Sequence, residues 1–345
     1  MSFRSQNVLD NQGDNTIFTV WNFQGPVVKP ELFQTVCSLV INLNRSAAIR
    51  FSGLGASVVM GISMTGWNTL GYGSPYPQEL DDFEQITGQK HKAVATRGDL
   101  HFHIKGFNSS VCYDLAAELE NALTPIARCV EEVHGFRYWD GRSIFGFVDG
   151  TENPSEQDKP FFGLIGEADP AFKGGSYLFV QKYIHDLKAF KQLSLEEQEK
   201  VFGRYKQSDI EMPERVKPDN SHSALANVGD DLKVIRENMP FGNMSTNEMG
   251  TYFIAYASTF STVKKMLTRM YIGEPAGNYD RLLDFSTPLT GTLFFVPTMD
   301  MLSQMAGGAF APGEQINVKQ DNSGDSNMGN KQEGSLGIGA INYKK

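Results

Sequence analysis

The chain has 345 residues and a formal net charge of -9 at pH 7, and 40% of its residues are hydrophobic. That length and composition allow one large domain or two ordinary ones with a buried core, and the acidic balance, without any cluster of Lys or Arg, argues against nucleic acid as a partner. The first twenty residues contain no apolar run behind a basic start, so we expect neither a secretory signal nor a membrane anchor, and therefore a cytoplasmic protein.

The predicted elements, in chain order, mix strands with amphipathic helices. Strand segments are rich in Val, Ile, Phe and Tyr; they cover 16–23, 56–63, 99–107, 175–183, 250–258 and 291–298. Segments with helical spacing of apolar residues cover 30–43, 109–123, 186–193, 194–202 and 261–271. Two helices have start signals, Pro30 in the first and a capping box from Ser194 to Glu197 in the fourth.

The order of these elements occurs twice. The strand at 99–107 leads directly into the helix at 109–123, just as the strand at 250–258 leads into the helix at 261–271. The first and fourth predicted strands are also each followed by a helix. The sequence therefore predicts an α+β fold of two similar halves, each a mostly antiparallel sheet with helices on one face, as in split βαβ folds. The predicted halves cover 1–145 and 146–310.

The C-terminal composition changes to Gly, Asn, Gln, Ser and Asp, with few large apolar residues. Such a segment buries too little to offset the entropy of ordering it, so we predict a disordered linker over 311–333. Apolar residues return in the last stretch, 334–345, at Leu336, Ile338 and Ile341. From the residues alone this end is either an untidy terminus or a docking peptide on a flexible tether.

The six histidines differ in their surroundings. His101 and His103 form an HxH on a predicted strand and face one side of it, but no third metal ligand is near in sequence, so we favour ordinary sheet residues. Three more are expected to be structural or solvated: His91, His134 at a helix end, and His185 at a strand-to-helix junction.

His222 lies in a polar stretch with turn residues, ahead of the strand-like segment 232–242. Arg236 and Asn238 stand two apart in that segment, so they share one face of the strand. A loop histidine beside inward Arg and Asn side chains would suit a cofactor pocket. On spacing alone, an ordinary loop histidine stays open as well.

The segment GFVDGTENP, residues 146–154, could be a connector or a site. Gly146 and Gly150 permit a positive φ, and Asp149 before a glycine is typical of a turn, where its carboxylate would accept local N–H groups. The same carboxylate could instead do chemistry. Phosphate-loop, dinucleotide-binding, zinc-protease and serine-hydrolase motifs are all missing from the sequence, which argues against several common enzyme classes.

Three segments together resemble one family, the dye-decolorising peroxidases. The first segment, GFVDG at 146–150, is similar to the family's GxxDG motif. The second consists of SH at 221–222 and VIRENMPFG at 234–242; it resembles the part of the family sequence with a haem-ligand histidine and a distal arginine. The third, 282–298, resembles the closing strand. The resemblance spans roughly 15–305 and is closest to compact bacterial members. It implies two ferredoxin-like halves and a haem peroxidase that uses hydrogen peroxide to oxidise bulky aromatic donors such as dyes and phenolics, one electron at a time.

The resemblance also implies residue roles. His222 is expected to be the axial ligand of one haem b per subunit, with its second ring N–H donated to Asp284. Asp149, Arg236 and Asn238 would form the peroxide pocket, where a carboxylate moves a proton and a cation stabilises developing negative charge. Glu152 and Asn153 are expected to contact haem propionates or to gate peroxide. Possible electron relays are Tyr138, Trp139, Tyr252 and Tyr271, each of which could equally be an ordinary core or surface aromatic.

A second resemblance concerns the C-terminal tail and predicts a function for it. GSLGIGAIN, within 334–345, resembles peptides that target peroxidases into encapsulin shells, so we expect the shell protein as a partner and an encapsulin nanocompartment in the cytoplasm as the location. A homo-oligomer, from dimer to hexamer, would suit that role. Two other functions stay open: a haem carrier without physiological peroxidase activity, and a dimerising scaffold without haem.

Overall fold

The protein is described from a computed structural model, which covers residues 4–10 and 13–313. Most of the predicted linker, 311–333, and all of the predicted targeting peptide, 334–345, lie outside the described residues. None of the helices in the described ranges is long and apolar enough to cross a bilayer.

The first half is a βαββαβ unit with a small additional hairpin. Its strands are β1 (Asn15–Phe23), β2 (Ser57–Ile62), β3 (Ile86–Thr87), β4 (Lys92–Ala93), β5 (Leu100–Gly106) and β6 (Ala127–Phe136), and its helices are α1 (Pro30–Arg50), α2 (Met64–Thr69) and α3 (Ser109–Leu123). The large strands pair antiparallel in the order β6, β1, β5, β2, while β3 and β4 pair with each other. Numbered along the chain, that order is 4-1-3-2, the arrangement of a ferredoxin-like sheet.

The second half repeats this arrangement. Its strands are β7 (Ser176–His185), β8 (Ile235–Arg236), β9 (Met239–Asn243), β10 (Glu248–Ala257), β11 (Ser286–Pro288) and β12 (Thr292–Val296). Its helices are α4 (Lys159–Gly163), α5 (Leu187–Gln192), α6 (Leu195–Phe202), α7 (His222–Ala226), α8 (Phe260–Tyr271), a 3₁₀ helix (Arg281–Asp284) and α9 (Met299–Ala306). The main order is β12, β7, β10, β8, again 4-1-3-2. The predicted α+β fold of two ferredoxin-like halves is therefore confirmed, whereas the domain limits 1–145 and 146–310 stay predictions.

The two halves share one sheet and one core. β12 pairs with β2, where Phe295 lies opposite Ile62, so the two four-strand orders are continuous. β9, which pairs with β10 outside this order, approaches the other end of the order at β6, because a Cβ added to Gly135 would lie 2.5 Å from the Cβ of Met239. The sheet thus curls around a core to which both halves contribute fully buried side chains: Phe18, Val59, Leu178, Ile254 and Phe294.

Local sequence explains most helix bounds. α3 begins where the Asn108 side chain accepts hydrogen bonds from the N–H groups of Ser110 and Val111, and it covers the predicted residues. α6 begins at Ser194, whose hydroxyl accepts from the Glu197 N–H, and ends at Gly203 with φ +76°. The prediction was wrong for His134, which lies in strand β6 and not at a helix end.

Candidate active site

A large cavity opens in the second half of the fold. Its empty volume, mouth included, is about 1400 Å³. Five of the predicted site residues line it: Asp149, Glu152, His222, Arg236 and Asn238. Much of the remaining wall is apolar and comes from Phe145, Phe202, Val228, Leu232, Val234, Phe253, Met266, Leu267, Met270, Leu282 and Leu283. Such a space suits a large, flat, mostly apolar ligand that meets a few polar groups.

His222 is the first residue of the short helix α7, and its ring is held by a buried carboxylate. Its Nδ1 lies 2.7 Å from Oδ2 of Asp280, which is fully buried. The other oxygen, Oδ1, accepts a hydrogen bond of 2.9 Å from the Leu282 N–H. Because a carboxylate only accepts, Nδ1 donates, and Nε2 keeps a lone pair for a metal ion.

The prediction that Asp284 accepts the hydrogen bond from His222 is wrong, because Asp284 has other partners. Its Oδ1 accepts from Lys90 Nζ at 2.5 Å, His91 Nε2 at 3.0 Å and the Tyr279 hydroxyl at 3.1 Å. Burial opposes the charged form, but these hydrogen bonds outweigh it and lower the pKa of Asp284. Asp284 thus ties the end of the 3₁₀ helix to the β3–β4 hairpin, while Asp280, at the start of that helix, points to His222.

His185 also lines the cavity but is not available as a ligand. Its Nε2 lies 2.9 Å from the Thr251 hydroxyl, and its Nδ1 lies 2.9 Å from the Ser286 hydroxyl. Burial lowers the pKa of His185 to about 3. With both ring nitrogens occupied, His185 is structural, as the sequence suggested.

The remaining histidines lie away from the cavity. His101 and His103 are fully buried on β5, and burial lowers the pKa of both. No group of three or more His, Cys, Asp or Glu side chains within residues 4–10 and 13–313 is arranged to hold a bare metal ion. The preference for ordinary sheet residues at the HxH is consistent with this geometry.

Asp149 combines the turn role and the site role that the sequence left open. Its Oδ1 accepts a hydrogen bond of 2.7 Å from the Gly150 N–H, and Gly146 and Gly150 have φ of +89° and +77°. Arg142 anchors the loop through its Nη1, which donates to the carbonyl oxygens of Gly146 and Lys206. The turn thereby holds the carboxylate at the cavity wall.

Asn238 connects Asp149 to the sheet. Its Oδ1 accepts from the Ile254 N–H of β10 at 3.2 Å, and its Nδ2 lies 3.3 Å from Oδ2 and 3.4 Å from Oδ1 of Asp149. Since the amide oxygen accepts from the backbone, the amide nitrogen must be the end that faces Asp149. Asn238 therefore orients the Asp149 carboxylate through long hydrogen bonds.

Arg236 is fixed by its backbone and leaves its guanidinium free. The side-chain amide of Asn153 donates to the Arg236 carbonyl at 2.8 Å and accepts from the Arg236 N–H at 3.0 Å. These two hydrogen bonds give Asn153 a structural role at Arg236, and its expected contact with a propionate or with peroxide stays a prediction. Within the described ranges the Arg236 guanidinium has no hydrogen-bond or ion-pair partner, so its charge is available to a ligand.

Glu152 lines the cavity beside a cation that the sequence reasoning missed. Its Oε1 lies 3.6 Å from Nη1 of Arg204, which also lies 3.6 Å from Glu211, while Nε of Arg204 donates to Asp209. The contact between Glu152 and a propionate stays a prediction; because carboxylates repel each other, it would need the positive charge of the largely buried Arg204 beside it. The only sequence signal for Arg204 is its position directly after the glycine that ends α6.

The possible relay residues divide into two pairs. Trp139 is 71% exposed, has φ +48°, and stacks on Tyr138 with ring centroids 4.9 Å apart. Tyr252 and Tyr271 are fully buried. The Tyr271 hydroxyl lies 2.8 Å from the hydroxyl of Tyr183, a cavity residue that the sequence did not indicate.

A second cavity lies against the same polar residues. Asp149, Arg236 and Asn238 border it as well as the first cavity, and Asn153 and Glu237 lie in its wall. The three polar side chains thus stand between the main cavity and a second opening, where a small polar molecule could reach them.

Comparison with known proteins agrees with this geometry. Family models described as "Dyp-type peroxidase, N-terminal" and "Dyp-type peroxidase, C-terminal" match residues 6–137 and 140–301. A dye-decolorizing peroxidase of Rhodococcus erythropolis is 46% identical over 267 residues, which are 76% of this chain and 78% of that protein.

Solved structures are also similar. A dye-decolorizing peroxidase from Bacteroides thetaiotaomicron has a TM-score of 0.86 and 48% identity, covering 88% of this chain and 99% of that chain. An encapsulated DyP-type peroxidase from Mycobacterium smegmatis has a TM-score of 0.83 and 42% identity, with 88% and 98% covered. A variant of DypB from Rhodococcus jostii in complex with heme has a TM-score of 0.80 and 42% identity, with 87% and 97% covered.

Proposed function

Because this chain belongs to the Dyp-type peroxidase family, we propose that it is a haem peroxidase that uses hydrogen peroxide to oxidise bulky aromatic donors such as dyes and phenolics. The observation that supports this most is one cavity that contains both a carboxylate-held histidine and a set of Asp, Arg and Asn side chains. A simple haem carrier has no need for the second group.

The cavity residues fit haem b. The apolar walls would suit the macrocycle, Nε2 of His222 would bind the iron, and Arg204 would offer a cation for a propionate. When bound there, haem supplies the redox chemistry by which peroxide is reduced and donors lose one electron at a time. Asp280 accepts a hydrogen bond from Nδ1 of His222 and so makes the imidazole a stronger ligand.

Asp149, Arg236 and Asn238 are the residues that handle peroxide. Cleavage of the O–O bond requires a proton to move from one peroxide oxygen to the other, and the Asp149 carboxylate is suited to carry it. The free guanidinium of Arg236 stabilises the negative charge that develops on the departing oxygen. Asn238 keeps Asp149 oriented, and the second cavity provides a path for peroxide.

The direct test is a spectrum of the purified protein before and after one equivalent of peroxide. We expect a Soret band that changes rapidly on mixing. His222→Ala should lose the band or bind haem weakly, whereas His185→Gln, at the other cavity histidine, should keep it. A band that ignores peroxide would indicate a haem carrier, and the lack of any band would indicate a scaffold; either outcome would reject the peroxidase.

We also propose that the enzyme is cargo of an encapsulin shell in the cytoplasm, bound through residues 334–345. The tail's resemblance to targeting peptides supports this, as does the similarity to the encapsulated peroxidase of M. smegmatis. A homo-oligomer of two to six subunits would present several tails at once and so bind the shell with avidity.

A further inference from the structure

A buried ion pair lies beside the segment that holds the peroxide residues. Glu237 stands between Arg236 and Asn238, and its carboxylate is turned towards Lys105 of the first half. Lys105 Nζ on β5 lies 2.9 Å from both carboxylate oxygens of Glu237. The Lys105 side chain is fully buried and the Glu237 side chain is 4% exposed.

This pair joins the two halves of the fold. Lys105 belongs to the first half, whereas Glu237 lies between β8 and β9 of the second half, where its N–H donates to the Ile254 carbonyl oxygen. Other polar groups complete the surroundings: His103 Nδ1 lies 3.7 Å from Glu237 and 2.9 Å from the Tyr256 hydroxyl. Burial raises the pKa of Glu237, and the charge of Lys105 opposes that rise.

The strand beside the pair needs such support. β8 consists of Ile235 and Arg236 alone, and the sheet order ends with it. Just beyond it the Ile254 N–H bonds to the Asn238 side chain in place of a strand carbonyl. The Asn153 amide holds the Arg236 backbone from one side, but a two-residue edge strand adds few ladder bonds of its own. The two-oxygen contact at Glu237 therefore restricts both of its neighbours further.

A buried ion pair is poor evidence for stability on its own. Its desolvation cancels much of the attraction, and similar apolar residues are often as stable. Positional control is another role for such a pair, and here its position is beside the segment that holds the reacting side chains. We propose that Lys105 and Glu237 are positioning residues that hold Arg236 and Asn238 at the peroxide site, an inference that rests on the proposed peroxidase function.

The test is the double variant Lys105→Met/Glu237→Gln in the full-length haem protein. Removing both charges leaves no unpaired buried ion, so this variant is expected to fold where either single change could fail. We expect an unchanged Soret band and melting temperature but a peroxide reaction slower by at least about tenfold. In steady state the donor KM should stay the same while the rate at limiting peroxide falls.

A second readout needs no haem. Amide hydrogen exchange of the haem-free protein should be about tenfold faster in the peptide over 234–240 and unchanged elsewhere. The control is Gln6→Leu. Gln6 is buried away from both cavities, and its Nε2 donates hydrogen bonds to the carbonyl oxygens of Met60 and Pro297. The control variant should leave the peroxide rate and that peptide unchanged.

Each outcome decides between the two proposals. If the double variant matches the parent in peroxide rate and exchange while Arg236→Leu is slow, the positioning role is overturned and the peroxidase stands. If the double variant loses haem and melts early, the pair is structural and the inference is wrong. If the parent itself does not react with peroxide, both proposals fall.

Discussion

The Asn238 side chain spans the gap between the sheet and Asp149, with its oxygen on the Ile254 N–H and its nitrogen 3.3 Å from the Asp149 carboxylate. Replacing it with Leu removes both contacts without changing the volume greatly. We expect peroxide to react roughly tenfold more slowly, because Asp149 is no longer oriented. Stopped-flow absorbance at the Soret band measures this rate.

Asn238→Asp tests the contact with Asp149 separately from the contact with the Ile254 N–H. It keeps an acceptor for the Ile254 N–H but places a second carboxylate beside Asp149, and the two carboxylates repel each other. The peroxide rate should therefore fall although the contact with the sheet is kept, which would attribute the loss to the orientation of Asp149. A parent-like rate in both variants would exclude Asn238 from the site.

Arg236→Leu should abolish the fast peroxide reaction while haem stays bound. The Arg236 guanidinium is a cation at the cavity that has no partner among the described residues. Loss of one such charge-stabilising group costs roughly 100-fold or more in rate. Exposed Arg215→Leu, in the same half of the chain, is the matched control. Unchanged stopped-flow kinetics in Arg236→Leu would remove the arginine from the mechanism.

Asp280→Asn should weaken the support of His222, and Asp284→Asn should not. A neutral amide oxygen accepts the hydrogen bond from His222 Nδ1 more weakly than a carboxylate does, so haem affinity or peroxidase rate should fall about 10-fold to 100-fold. Haem transfer to apomyoglobin and the reduction potential measure the effect. Equal effects from both variants would contradict the distinction that the structure makes between these aspartates.

His101→Leu should stabilise the protein, and more so in acid. Both ring nitrogens of His101 are buried and have no hydrogen-bond partner among residues 4–10 and 13–313, and burial lowers the pKa of His101 to about 3. The unfolded chain binds a proton below about pH 6.5 and the folded chain does not, so His101 costs stability as the pH falls towards 3. At pH 5 the variant should gain about 2 kcal/mol beyond its gain at pH 8.

Urea unfolding of parent and variant at the two pH values measures this difference. A gain that is the same at pH 5 and pH 8 would show that His101 is protonated in the folded state.

Deletion of residues 334–345 should stop co-purification with a co-expressed encapsulin shell and leave peroxidase activity intact. The matched control is a chain in which residues 314–333 of the predicted linker, 311–333, are replaced by a Gly/Ser segment of equal length, which should still be packaged. Shell particles loaded with the truncated enzyme would reject the docking role.

Much of the fold was predictable because local signals agreed with the tertiary packing. The helix at 109–123 has an Asn cap and regular apolar spacing, and the structure places it at those residues. The strand β6 was missed because it has Glu and His on an exposed face, so its alternation is weak. His134 therefore seemed to belong to a helix end.

The site was predictable in its membership and less so in its pairings. Asp149, His222, Arg236 and Asn238 line one cavity, as expected. Asp280 stands directly before the 3₁₀ helix and Asp284 at its end, and no periodicity tells which of them faces His222. Asn153, Glu237 and Lys105 make long-range contacts that only the assembled sheet reveals.

The core shared by the two halves has a practical consequence for dissecting this protein. Leu178 and Ile254 pack against Phe18 and Val59 across the joint, so either half made alone would expose a broad apolar surface and the free edges of β2 or β12. A separately expressed haem half would aggregate rather than serve as a minimal peroxidase. Each half contains the same ferredoxin-like motif, but only the two halves together form a unit that can be engineered.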